Sequence, residues 1–169
     1  TGKFAVESML RGGKRIRPQL TLMVYTAYSK NYDQHIADQL MLAVECFHKA
    51  SLIHDDIEDH DDYRYNQKTV HHENGVPLAI NIGDYLIGKG YLILSLLPVH
   101  PLQKARLFEL FSSMHVESAI GQGEELAIFK NHTVSEIEKT LTIFRQKTGS
   151  AIQVSLLAGA IAAEAPETE

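Results

Sequence analysis

Apolar residues recur three and four positions apart along almost the whole chain, the spacing that lays one side of a helix against a core. No stretch alternates convincingly at period two. The pattern predicts six helical segments. A short one precedes Gly12-Gly13. The second covers roughly 16–30, with Pro18 in its first turn, where a missing N–H leaves no helix bond unmade. A long third covers roughly 34–61, and a fourth runs from near Pro77 to Leu97 and stops at Pro98. The fifth begins near Pro101 and ends near Lys130. The sixth opens on Thr133-Val134-Ser135-Glu136, a capping-box pattern, and runs to about Ala163. Long apolar helices with short connections predict an all-α bundle. With no internal repeat, low-complexity run or Gly/Ser/Pro linker, residues 1–169 are expected to form one helical domain.

Composition narrows the class. The 169 residues are 44% hydrophobic, enough for a core, and carry 16 Lys and Arg against 21 Asp and Glu, a net charge of -5. A mildly acidic chain lacks the basic face that a nucleic-acid backbone requires, so no nucleic-acid partner is expected. The one cysteine, Cys46, rules out an internal disulfide and fits a reducing, cytoplasmic setting. No apolar run is long enough to span a bilayer, and no secretory signal is visible.

Three polar features stand out against this apolar background. The first is His54-Asp55-Asp56-Ile57-Glu58-Asp59-His60-Asp61-Asp62. On a helix Asp55 and Asp59 lie one turn apart on the same face, where like charges repel unless a cation sits between them. Hard carboxylate oxygens suit magnesium, which takes one or two carboxylates and completes its shell with phosphates and water. The same residues also suit a solvated acidic helix end; their position directly after the apolar Ala50-Ser51-Leu52-Ile53 run favours the metal. The second is Gly12-Gly13-Lys14-Arg15-Ile16-Arg17-Pro18, which places three cations in a glycine-opened turn at a helix start. Such a turn suits a diphosphate, or else is simply a turn with surface cations. The third is a set of glycines beside polar groups inside helices: Gly83 with Asp84, Gly121-Gln122-Gly123-Glu124-Glu125, and Lys147-Thr148-Gly149. Helix packing accounts for Gly83 and Gly149, but less well for Gln122, Glu125 and Lys147, which suggest a polar cavity. Adjacent His71 and His72 diverge on any regular element, so they are expected to be structural or substrate-adjacent rather than a joint metal site.

Taken in order, these motifs resemble the trans-isoprenyl diphosphate synthase (polyprenyl synthetase) family from Gly12 to about Ala158. The resemblance implies an α-helical bundle of the isoprenoid synthase type and a transferase that joins isopentenyl diphosphate to an allylic diphosphate with Mg2+. It implies that Asp55 and Asp59 bind magnesium and that Lys14, Arg17 and His48 hold isopentenyl diphosphate. Arg64 would contact diphosphate. Gln122 and Glu125 would line the cavity, Glu125 as a further metal ligand, and Lys147 and Thr148 would touch the allylic diphosphate and stabilise developing charge. Three departures accompany the match. Tyr65 stands where the family has a second arginine, Glu125 replaces a usual Asp, and the family's second aspartate-rich motif does not occur in the sequence, so the bundle is expected to be incomplete at its C-terminal end.

Two alternatives remain at this level: a truncated, non-catalytic subunit or fragment of such a synthase, and a class I terpene cyclase. The Gly12–Pro18 turn argues against the cyclase, which binds no isopentenyl diphosphate. The family usually forms homodimers, and the same is expected here. Product length is expected to be set along the aspartate-bearing helix. Ala50 and Ser51, one turn before Asp55, are small, and Phe47 lies two turns before it. An open level at Ala50 and Ser51, with Phe47 as a deeper floor, implies a product of geranylgeranyl length or beyond.

Overall fold

A computed structural model describes residues 1–131 and 136–166. The described chain is helical apart from one two-stranded hairpin, and it divides into two compact units.

The first unit comprises Thr1–Gln19 and Asp33–Pro98. It contains α1 (Gly2–Leu10), the start of α2 (Ile16–Tyr28), α3 (Gln34–Glu58), β1 (Tyr63–Arg64), β2 (Gln67–Lys68), α4 (Val70–Asn74) and α5 (Val76–Leu96). The Asp33 carboxylate starts α3 by accepting the backbone N–H groups of His35 (2.7 Å) and Ile36 (3.3 Å), two of the donors a helix start leaves unmet. The core forms where α3 packs along α5. Leu40, Ala43, Val44, Phe47, Ala50 and Ile53 of α3 are buried, as are Ile82, Leu86, Ile93 and Leu94 of α5. Phe47 stacks edge-on against Tyr91, with ring centroids 4.8 Å apart. Its ring fills the space above Gly90, where a Cβ would come within 2.6 Å of Phe47 Cε2.

The second unit comprises Leu20–Tyr32 and Val99–Glu169. It holds the rest of α2, α6 (Pro101–Asn131), α7 (Ile137–Phe144), a π-helical turn over Arg145–Gly149, and α8 (Ser150–Ala162). Thr21 is fully buried and donates its hydroxyl to the Ser155 carbonyl at 2.8 Å, joining α2 to α8. The Gln103 amide donates to the carbonyls of Ile161 and Ala162, both at 3.1 Å, and so satisfies acceptors at the end of α8.

The predicted helices correspond to these elements with three corrections. The third helix ends at Glu58 rather than near residue 61, with Asp59 as its cap. The stretch behind it forms the β1–β2 hairpin and the short α4, elements of two and five residues that carry no readable periodicity. The last helix is not continuous, because Arg145–Gly149 adopts π-helical geometry between α7 and α8. Thr133, Val134 and Ser135 of the predicted capping box lie outside the described residues. Among the described residues, no helix is long and apolar enough to cross a membrane.

Candidate functional site

In the first unit, the turn after α1 and one face of α3 enclose a cavity of about 250 Å³. Its walls are Gly13, Lys14, Arg15, Ile16 and Arg17 from the turn, Glu45, His48 and Lys49 from α3, and Tyr65 from the hairpin. Three of the residues expected to hold isopentenyl diphosphate, Lys14, Arg17 and His48, therefore share one cavity. Arg17 Nη1 lies 3.1 Å from His48 Nε2. A guanidinium can only donate, so Nε2 accepts and the imidazole proton resides on Nδ1. Burial, followed by the nearby charges of Arg17, Lys49, Arg15 and Arg64, pushes the His48 pKa down to about 3, which keeps the ring neutral. Burial, with Arg15, Arg11 and Arg64 adding to it, lowers Lys49 to about 8. Burial also lowers Arg17.

Local geometry explains why so many cations converge. Gly12 and Gly13 take positive φ values of 23° and 101°, and Arg15 follows at 54°. This turns the Arg15 guanidinium back onto the buried Glu45 carboxylate and, at 2.6 Å, onto the Met9 carbonyl at the end of α1. The Lys49 ammonium donates to the carbonyls of Arg11 and Gly12, the latter at 3.2 Å. Four cations, Lys14, Arg15, Arg17 and Lys49, thus line the cavity beside one carboxylate, Glu45, which gives the lining a net positive charge. Such a site suits a compact, multiply charged anion. Glu45, Lys49 and the Tyr65 ring were not among the expected site residues. Glu45, His48 and Lys49 fall at i, i+3 and i+4 within the mainly apolar stretch 40–53 of α3, and that polar stripe is the signal that would have found them.

The acidic end of α3 divides its carboxylates between two tasks. Asp56 is buried and bound by Arg64 Nε. Its pKa is raised by burial, against the opposing effect of the Arg64 hydrogen bond. Arg64 Nη2 also reaches Asp61 at 3.5 Å, and His72 Nδ1 lies 3.1 Å from Asp62. Asp56, Arg64, Asp61, Asp62 and His72 thus fasten the hairpin and α4 to the helix end. Asp55 is half-buried and Asp59 exposed, and the Asp59 N–H donates to the Asp55 carbonyl at 2.8 Å, which keeps the one-turn relation between them. Among the described residues, no group of three or more His, Cys, Asp or Glu converges on one point. Two carboxylates one turn apart fit magnesium, which draws its remaining ligands from phosphate and water. Just upstream on α3, Ala50 is 1% exposed and Phe47 is turned onto α5, whereas Ser51 is exposed.

In the second unit, two of the expected residues, Glu125 of α6 and Lys147 of the π turn, come together. Lys147 Nζ is 2.5 Å from Glu125 Oε2. Glu125, expected as a metal ligand, therefore spends its carboxylate on Lys147 in this structure. A Cβ on Gly121 would stand 2.8 Å from Gln146 Cβ and 2.9 Å from the Lys147 nitrogen, so only glycine lets α6 approach the π turn this closely. Gln122 is buried, and among the described residues neither end of its amide has a hydrogen-bond partner. Thr148 is exposed.

The chain is similar to known proteins in sequence and in fold. The chain is 35% identical over 162 residues to a short chain isoprenyl diphosphate synthase of Methanocaldococcus jannaschii, a match that covers 95% of this chain and 48% of the relative. Among solved structures, it superposes on a geranylgeranyl pyrophosphate synthetase from Geoglobus acetivorans with a TM-score of 0.84 at 34% identity, covering 93% of this chain and 50% of that one. It superposes on a geranyltransferase from Helicobacter pylori complexed with magnesium and isoprenyl diphosphate with a TM-score of 0.86 at 28% identity, covering 98% and 56%. The chain spans about half the length of the curated relatives it matches. These relatives share its all-α fold, and the polyprenyl synthetase family profile matches residues 3–169. The chain belongs to the polyprenyl synthetase family.

Proposed function

We propose that the protein of which this chain is at least a part is a prenyltransferase that condenses isopentenyl diphosphate with an allylic diphosphate. One observation carries this reading: Lys14, Arg17 and His48 line a single cavity with surplus positive charge. Lys14 and Arg17 neutralise the diphosphate of isopentenyl diphosphate, and neutral His48 orients the Arg17 fork by accepting from it. Asp55 and Asp59 would hold Mg2+ beside the allylic diphosphate; that a similar geranyltransferase from Helicobacter pylori is complexed with magnesium and isoprenyl diphosphate supports magnesium as the cation. Bound magnesium supplies positive charge that favours departure of diphosphate from the allylic carbon. Within the second unit, Lys147, Thr148 and Gln122 are the proposed catalytic residues, with Glu125 holding the Lys147 ammonium in place. The substrate's own double bond is the nucleophile, so no side chain need form a covalent bond.

The product is of geranylgeranyl length or longer. Exposed Ser51, rather than buried Ala50, is the small residue open to a growing chain, and the named Geoglobus acetivorans relative supports that length. The assembly is a homodimer, a reading supported by exposed apolar side chains such as Leu96, Leu102 and Val116. A fragment reading draws support from the roughly half-length match to relatives, and the 169-residue polypeptide alone is expected to show little or no turnover. The substrate assignment is tested by titrating isopentenyl diphosphate into the chain in EDTA. Saturable binding weakened tenfold or more by Arg17→Ala supports it, through loss of a charge-assisted hydrogen bond of roughly 1.5–3 kcal/mol. Binding unchanged by Arg17→Ala refutes it.

A further inference from the structure

The hairpin that follows the acidic helix end carries a conformation its sequence does not favour. Tyr65 and Asn66, its two central residues, have φ values of 52° and 60°. A two-residue turn with positive φ at both positions suits Asn and Gly, so Asn66 is at ease and Tyr65 is not. Burial does not explain the residue, since Tyr65 remains 46% exposed. A strained residue persists when its surroundings hold it, and here they are specific. The ring lies against Gly12 so closely that a Cβ there would stand 2.7 Å from Tyr65 Cγ and 2.8 Å from its Cβ and Cδ2. The Tyr65 hydroxyl is 3.4 Å from where a Cβ of Gly13 would be. The Lys49 ammonium sits 5.4 Å from the ring centroid while donating to the Arg11 and Gly12 carbonyls. Gly12 is thus held by an aromatic ring and by an ammonium that takes its carbonyl. Two residues further on, Lys14 enters the cavity that Tyr65 and Lys49 also line.

We propose that Tyr65 is a positioning residue: with Lys49 it clamps the Gly12-Gly13 turn in the shape that brings Lys14 and Arg17 beside His48, so the cavity stands ready for a diphosphate before one binds. This rests on the diphosphate reading of the cavity given above. The strain in the hairpin is retained because the ring is needed at the turn. Pre-organisation of this kind raises affinity by removing the cost of ordering a loop on binding.

The strain makes the proposal separable from a plain structural role. Tyr65→Asn removes the ring while placing at the left-handed position a residue that tolerates it. Tyr65→Phe keeps the ring and loses only the hydroxyl. Inorganic diphosphate is titrated calorimetrically into the EDTA-treated full chain of each variant, alongside thermal unfolding. The expected result is a Kd about tenfold weaker for Tyr65→Asn, with a melting midpoint equal to or above the parent's, and a Kd within about twofold of the parent's for Tyr65→Phe. A structural role alone would lower affinity and midpoint together. Parent-like affinity in Tyr65→Asn overturns the clamp, as does a lowered midpoint in that variant. A loss in Tyr65→Phe as large as in Tyr65→Asn also overturns it, by moving the effect to the hydroxyl. Absence of saturable binding to the parent chain overturns the diphosphate reading itself, and the clamp's purpose with it.

Discussion

The neutral state of His48 has a cost that acid should reveal. In the folded chain its pKa is pushed down to about 3 by burial and by Arg17, Lys49, Arg15 and Arg64, whereas an unfolded histidine titrates near its ordinary value of 6.5. Because the folded value is the depressed one, the unfolded chain takes up a proton between pH 6.5 and 3 that the folded chain refuses. Stability is therefore lost as pH falls through that window. Integrating from pH 7 to pH 5, where the folded ring is still neutral, gives about 2 kcal/mol from this one residue. Replacing His48 with Gln keeps an oxygen that accepts from Arg17 and removes the titration. Urea denaturation of parent and His48→Gln at both pH values isolates the effect, since carboxylates common to both chains cancel. The parent should lose about 2 kcal/mol more than the variant between pH 7 and pH 5. Parallel losses would mean that His48 is not held neutral, and the assignment of Nε2 as acceptor from Arg17 would fall with it.

Four further outcomes are expected. Gly121→Ala should destabilise the second unit by roughly 1–3 kcal/mol, read as a lower denaturation midpoint, because the added methyl meets the Gln146 Cβ and the Lys147 nitrogen rather than a yielding side-chain tip. Asp55→Ala/Asp59→Ala should abolish the magnesium-dependent part of diphosphate-analogue binding in calorimetry while leaving binding in EDTA intact; equal magnesium dependence in parent and variant would refute the metal assignment. In the full-length protein, Ser51→Phe should shorten the product on chromatography. Ala50→Phe, which forces a ring into a site 1% exposed, should instead lower stability, and an unchanged product distribution in folded Ser51→Phe would count against the chain path.

Much of the fold was legible because long helices repeat their burial signal many times. The α3 and α5 helices announce themselves through apolar positions at three and four, and Pro98 marks a boundary that the structure keeps at Leu96. The hairpin was not legible, since two-residue strands repeat nothing, and its Tyr-Asn turn is an unfavourable choice in local terms. The π turn was hidden for another reason: Arg145–Gly149 sits inside an unbroken helical pattern, and only the approach of α6 at Gly121 marks its surroundings as unusual. At the site, Lys14 and Arg17 are conspicuous as cations in a glycine-opened turn, whereas His48 is identified by the family resemblance alone. Glu45 and Lys49 share a polar stripe with His48, but their residue types alone do not say what they bind, and the structure supplies the partners, Arg15 for Glu45 and the Gly12 carbonyl for Lys49. Asp56 shows the converse: within a run of carboxylates its type is uninformative, and burial against Arg64 separates it from Asp55 and Asp59.

The most direct test of the central claim is a crystal structure of the chain soaked with isopentenyl diphosphate in the absence of magnesium. The account predicts density for the diphosphate in the cavity between Lys14, Arg17 and His48, with the Arg17 fork on its oxygens and Tyr65 still seated on Gly12. Density for the diphosphate at any other place on the chain, with that cavity occupied by solvent alone, would contradict it.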